Sequence, residues 1–394
     1  MTADLDARDV PDVPAPPDFT PEQYARSKAR KRATAPVRYT SLTVDLVAVF
    51  VLGFTPAGGA LVHAAGRLAG GGWIATALLG ALALRVVLWL LDLPFSLWRE
   101  RINEEWELST RTRRLFWLDS LRGFLIGAIL FAAVSLGFFA ITRAVPGNWP
   151  LVAGACGVAL VFVLSFLLPV VIEPLFNKFR PLEEGELRTR LMDLATDSGV
   201  KVQDVLVSDA SKRTTANNAY VSGFGTTRRI VLWDTTIENC EPAEIASVTA
   251  HELGHAKRQD VVVGTAVAAV GTIVSVAVLA WALSWHPLHS AAHVTGPQDP
   301  RAIALLLAIA TVLSALAGPL FNAYSRRIER RADQFGMDLT RDPAAVVMTW
   351  RRLAAGNLAD LEPHPLTVLL FATHPPIPAR LAHARQWAAE HGVR

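Results

Sequence analysis

Two histidines four residues apart, with a glutamate beside the first, stand in Val248-Thr-Ala-His251-Glu252-Leu-Gly-His255-Ala-Lys-Arg258. On an α-helix, positions i and i+4 share a face, one turn apart. His251 and His255 can therefore offer two imidazole nitrogens to one ion, with Glu252 placed to activate a water on it. Two neutral nitrogens and an open position suit Zn2+ acting as a hydrolytic Lewis acid. The flanks read as helix. Pro242 suits a first turn, Glu241 and Glu244 suit a helix N-terminus, and no proline interrupts the run to Arg258. The bland alternative is a surface helix with two solvated histidines.

A hydrolytic zinc needs a third protein ligand. Downstream candidates are His286, His289, His293, Glu329, Asp333, His364, His374, His383 and His391. In Ser325-Arg-Arg-Ile-Glu329-Arg-Arg-Ala-Asp333, Glu329 and Asp333 again share a helix face. One could bind metal while the other accepts a hydrogen bond from a ligand imidazole; acids offsetting the neighbouring arginines are the equal alternative. His374, in Thr-His374-Pro375-Pro376, sits in a stiffened chain that could aim an imidazole at a developing oxyanion, or is simply a turn histidine.

These residues must be held by something apolar. The 394-residue chain is 52% hydrophobic and 19% charged, with a mean hydropathy of +0.32, too apolar for an ordinary soluble domain. No basic-aromatic platform for nucleic acid is present. Cys156 and Cys240 lie in unlike segments, so neither a disulfide nor a cysteine metal site is expected. Apolar segments run over about Leu42–Gly66, Trp73–Trp98, Gly123–Ile141, Leu151–Ile172, Val261–Trp285 and Ala302–Phe321. Each is near the ~20 residues needed to cross a bilayer. The loop 99–122 carries six arginines, whereas the loop 286–300 carries no lysine or arginine. The positive-inside rule then places both termini, the 99–122 loop and the interval 173–260 in the cytoplasm, and His286, His289 and His293 on the far side. Glu329 falls at about the depth of His251 and His255. Asp45 and Asp92 read as charges near the interface. Arg85, deeper in its segment, raises the question of a hydrated chamber.

The expected fold is mainly α: a polytopic membrane protein with about six transmembrane helices and a small cytoplasmic α/β zincin-like part. Residues 1–40 read as a basic, disordered segment with no signal peptide. Residues 41–178 form a four-span region and 179–260 an α/β part ending in the zinc helix. Residues 261–322 form a two-span region and 323–394 a cytoplasmic helical part that completes the site. Within the α/β part, Glu183–Ser198 reads as helix, and Val202–Val207 and Arg229–Trp233 read as strands. The stretch from Asn217 to Gly225 between them reads as strand and turn.

His251-Glu-Leu-Gly-His255, Ser325-Arg-Arg-x-Glu329-x-x-Ala-Asp333, Asn218-Ala-Tyr220 before Arg229-Ile-Val-Leu, and His374-Pro-Pro together resemble the type I CAAX prenyl protease family, integral-membrane zinc peptidases of the gluzincin kind. Leu93-Pro-Phe-Ser-Leu-Trp98, Glu173-Pro-Leu-Phe-Asn-Lys-Phe179 and Ser211-Lys-Arg213 match as well, so the resemblance covers about residues 40–390. It implies His251, His255 and Glu329 as zinc ligands, Glu252 as general base and Asp333 as partner of a ligand histidine. It implies that His374, with Arg380 nearby, steadies the intermediate, and that Asn218, Ala219 and Tyr220 form an edge strand receiving substrate backbone. It also implies a water-filled intramembrane chamber. Eukaryotic members have seven spans; here the basic N-terminal stretch takes the place of the first. The Ala-, Arg-, Val- and Gly-rich composition suggests a bacterial member. The implied partners are the bilayer and a peptide or protein substrate, membrane-anchored or lipidated. Two other readings are a membrane quality-control metalloprotease and a non-catalytic scaffold with a structural metal.

Overall fold

The computed structural model describes residues 18–393. Fourteen α-helices follow in order: α1 Pro21–Phe54, α2 Pro56–Arg67, α3 Trp73–Glu105, α4 Arg113–Ala144, α5 Trp149–Leu167, α6 Glu186–Ser198, α7 Asp234–Asn239, α8 Pro242–Arg258, α9 Asp260–Ala282, α10 His286–Ala292, α11 Ile303–Thr340, α12 Pro343–Gly356, α13 Pro365–Phe371 and α14 Ile377–His391. Four strands are interleaved: β1 Phe179–Pro181, β2 Asp204–Ser208, β3 Ala219–Ser222 and β4 Arg229–Trp233. Six helices (α1, α3, α4, α5, α9 and α11) are long and apolar enough to span a bilayer.

The spans form a closed circuit. Each packs on the next in the order α1, α3, α4, α5, α9, α11, and α11 returns to α1. The return is a crossing of small residues: a β-carbon built on Gly53 would fall 2.2 Å from that of Ala308. Burial along the spans shows where that ring is filled. At one end Trp149, Ala153, Ala282, Leu305 and Ile309 pack with Phe54 and Phe138. Beside them lie Val62, Ala77, Leu84, Phe139 and Ile303. Toward the α8 end, α5 has no buried residue after Gly154, and α11 has none between Ile309 and Glu329. For α5 and α11 the packing is thus concentrated at the end away from α8, the plugged end.

Two helix boundaries depart from expectation. The first apolar segment, expected as one span to Gly66, breaks at Thr55. Pro56 cannot continue a helix, so α2 starts anew with the Thr55 hydroxyl as its cap and packs against α3. Residues 21–40, expected to be disordered, are instead the first half of α1. Thr20 and Gln23 form a capping box, and Phe19 is buried among Trp350, Leu381 and Trp387. The Ser27 hydroxyl donates to the Ala359 carbonyl (2.7 Å) and Lys31 pairs with Asp360 (2.7 Å). Burying Phe19 contributes about 1.5–3 kcal/mol, which a composition-based reading cannot see. Residues 1–17 of that segment lie outside the described residues. The intended division at 322 likewise cuts α11, which carries a span and Glu329 on one continuous helix.

The sheet runs β1-β2-β4-β3, with β2 and β4 parallel and the outer pairs antiparallel. Val205, Ile230 and Leu232 bury one face against Leu191 of α6 and Ile245 and Leu253 of α8. β3 is therefore an edge strand, and it lies alongside α8.

Candidate metal centre and active site

α8 begins as its sequence suggests. Pro242 occupies the first turn, and the Glu241 and Glu244 side chains cap each other's backbone amides. Ten of its residues are buried, His251 among them. It ends at Gln259, whose left-handed backbone (φ 55°) turns the chain directly into α9. That corner is strained for a non-glycine residue. Its effect is to bring the first residue of α9, Asp260, back onto His255: the Asp260 carboxylate accepts from Nδ1 at 2.8 Å. Asp333 of α11 accepts from Nδ1 of His251 at 2.9 Å.

Carboxylates only accept, so both Nδ1 atoms carry the proton and both Nε2 atoms present lone pairs. The two Nε2 atoms face each other at 3.2 Å. Glu329 faces both, with Oε2 3.3 Å from His251 Nε2 and Oε1 3.5 Å from His255 Nε2. Glu329 Oε2 is buried without a hydrogen-bond partner among the described residues. In this tautomer three groups rich in lone pairs converge, an arrangement that either a cation or a second proton on His251 relieves. Donor atoms ~2.0–2.1 Å from a tetrahedral zinc stand ~3.3 Å apart, the spacing seen here. The residues fit the ion. Burial disfavours an imidazolium at His251, but hydrogen bonds to Asp333 and Glu329 outweigh burial and raise its pKa to about 9. Metal and proton therefore compete for this nitrogen.

Glu252 belongs to the same cluster, with one ligand atom from each of His251, Glu252 and His255 within 4.8 Å of the others. Burial raises its pKa despite the neighbouring histidines, which makes the carboxylate a stronger base. His374 Nε2 lies 3.4 Å from Glu329 Oε1, so the tail of the chain does return to the site. Arg380, expected near His374, lines the same cleft and is buried, with Nη2 3.9 Å from Glu329 Oε2. Its Nε donates to Asp333 at 2.9 Å, its Nη2 pairs with the other oxygen of that carboxylate, and its plane lies 3.4 Å over the Trp350 ring. Arg380 thereby fixes the acid that fixes His251.

Asn218 uses its backbone internally, donating to and accepting from the Thr236 hydroxyl. Ala219 and Tyr220 open β3, and the Tyr220 hydroxyl bonds to the Glu173 carboxyl. Two clefts meet the cluster. One, of about 350 Å³, is lined by Val221, Gly223, Phe224, Glu252, His255 and Glu329. The other, of about 520 Å³, is lined by Asn217, Asn218, Trp350, His374 and Arg380. Val221 of β3 lines the first cleft, and Asn217 and Asn218, just before β3, line the second.

His364, His383 and His391 have no part in this cluster; α10, which carries His286 and His289, packs at the plugged end. Sequence reasoning missed Asp260 and Trp350. Asp260 follows the second histidine by five residues and could have been found had the helix been expected to turn there. Trp350 has no local signal.

Known proteins share this arrangement. Residues 181–388 match the family model "Peptidase family M48", and residues 5–178 match "CAAX prenyl protease N-terminal, five membrane helices". The described part of that second segment holds α1–α5, four of them spans. An uncharacterized metalloprotease, YhfN of Bacillus subtilis (strain 168), is 32% identical over 77% of this chain and 72% of its own. A CAAX prenyl protease 1 homolog of Oryza sativa subsp. japonica is 31% identical over 75% of this chain and 71% of its own. The crystal structure of S. mikatae Ste24p superimposes with a TM-score of 0.82 at 25% identity, covering 95% of this chain and 92% of that one.

Proposed function

Since this chain belongs to peptidase family M48 and is a multi-pass membrane metalloprotease, we propose that it is a zinc endopeptidase cutting extended peptides at the cytoplasmic face of the cell membrane. The observation that carries this reading is the convergence of His251, His255 and Glu329 at 3.2–3.5 Å with Glu252 beside them.

His251, His255 and Glu329 would hold the ion. When bound, zinc polarises the scissile carbonyl and acidifies the attacking water. The β3 edge aligns the substrate backbone by strand addition. Glu252 takes the proton of the attacking water and passes it to the leaving amine. His374, exposed in the second cleft, donates to the developing oxyanion. Asp333 and Asp260 hold the ligand imidazoles in the tautomer that offers Nε2, and Arg380 holds Asp333. The arginine-rich 99–122 loop supports a cytoplasmic position for the α8 end. A membrane-anchored or lipidated substrate is in keeping with relatives named CAAX prenyl protease.

The test is cleavage of a fluorogenic peptide library by detergent-purified protein, with and without chelator, beside matched farnesylated and bare CAAX peptides. Chelator-sensitive cleavage supports the reading, and preference for the farnesylated peptide supports the lipidated substrate class. Bound zinc with no cleavage of any peptide would return the chain to the scaffold reading.

A further inference from the structure

The short helix α13, three residues before His374, has no role in the chemistry above. Its N-terminus is capped by His364 Nδ1, which accepts from the Leu366 amide (3.2 Å). Its C-terminal carbonyls are tied to α11: Asn322 donates to the Leu370 carbonyl (2.7 Å), and Arg326 donates to those of Val368 (2.9 Å) and Ala372 (2.6 Å). On the other flank, the Arg38 guanidinium of α1 lies 4.5 Å from the centre of the Phe371 ring. α13 thus bridges α1 and α11, two neighbouring spans.

Its free face is apolar. Leu366, Leu369 and Leu370, spaced i, i+3 and i+4, are 60%, 46% and 44% exposed, and none belongs to a core cluster of the described residues. Three leucines turned outward are unfavourable in water, because the cost rises with the apolar area left exposed. Their depth says what covers them. Asn322 is the first polar residue after the apolar run Ala302–Phe321, and Arg38 comes four residues before the apolar run that starts at Leu42. Both mark the level at which hydrocarbon gives way to headgroups. At that level, basic side chains snorkel while leucines point into acyl chains.

We propose that α13 is an interfacial helix. Its Leu366–Leu369–Leu370 face lies in the bilayer surface on the α8 side, continuous with the lipid-facing surface of the spans, and seats the His374 loop against the membrane. The covering partner is the acyl region of a lipid leaflet just below its headgroups.

The experiment uses full-length protein in phosphatidylcholine–phosphatidylglycerol vesicles, with Cys156→Ser and Cys240→Ser as background. Leu366→Cys and Leu369→Cys are labelled singly with an environment-sensitive fluorophore, and Glu390→Cys on α14 serves as the aqueous control. Lipids carrying a doxyl quencher at carbon 5 or carbon 12 are added to the vesicles. The expected result is blue-shifted emission at both α13 positions, quenched more strongly by the 5-doxyl than by the 12-doxyl lipid, with Glu390→Cys unaffected. Both leucines are surface residues, so replacement leaves the fold intact, and retained peptide cleavage verifies this. Emission at both α13 positions matching Glu390→Cys overturns the proposal. So does blue-shifted emission that neither lipid quenches, because the face would then be covered by protein or turned into the chamber.

Discussion

Gly336 of α11 lies against the backbone of His251. A β-carbon built on Gly336 would sit 3.2 Å from the His251 amide nitrogen, and one built on Gly254 would sit 3.3 Å from Cα of Ala332. The two glycines let α8 and α11 approach closely enough for the Nε2 atoms of α8 to meet Glu329. A side chain at Gly336 pries these helices apart, and overpacking of this kind costs about 1–3 kcal/mol. Gly336→Val should lower thermal stability and also weaken metal retention. Differential scanning fluorimetry paired with metal analysis reads both, and normal zinc content in the variant would dissociate helix spacing from the site.

Glu252→Gln preserves shape while removing the base. We expect full zinc content and cleavage reduced by about 10²–10⁴-fold, the usual contribution of a positioned general base. Metal stoichiometry and turnover measured on one preparation decide the matter; near-normal turnover would assign the proton transfer elsewhere.

Asp260→Asn and Asp333→Asn each weaken the hydrogen bond that orients a ligand imidazole. Losses of about 10–100-fold in metal affinity are expected, read by competition with a chromophoric chelator. Asp333→Asn should be the more damaging, since it also strands the buried Arg380 guanidinium.

The raised pKa of His251 sets a pH dependence. Its folded value of about 9 exceeds the ordinary value near 6.5, so its protonated pairs with Asp333 and Glu329 stabilise the metal-stripped protein fully below about pH 6.5. That stabilisation is lost as pH rises through about 9. The melting temperature of chelated protein should therefore fall across this window, and zinc binding at neutral pH should release a proton. Calorimetry in buffers of different ionisation enthalpy measures the release; buffer-independent heats would contradict it.

His374→Gln should lower kcat with little change in metal content or stability, because the side chain touches the cluster only at Glu329. Parallel kinetics and zinc analysis distinguish this from a ligand role, in which metal would be lost as well.

The catalytic helix and β4 were legible because capping residues, apolar periodicity and β-branched runs are local signals. The number of spans was legible from hydropathy, but the first ends at Phe54 rather than at Gly66. What escaped was set by contacts distant in sequence. Residues 21–40 fold because Phe19, Ser27 and Lys31 meet a helical cluster more than 300 positions away. Three-residue β1 carries no alternation to read, and Trp350 matters only because Arg380 lies across it. Spacing left the third ligand open and family resemblance pointed to Glu329; the α8–α11 approach brings its carboxylate within 3.5 Å of both imidazoles.

The free edge of β3 carries a consequence for selection if substrate binds there by strand addition. Such binding asks first whether a chain can be drawn out into an extended strand. Loose or unfolded ends meet that demand and compact folds do not, before any side chain is read.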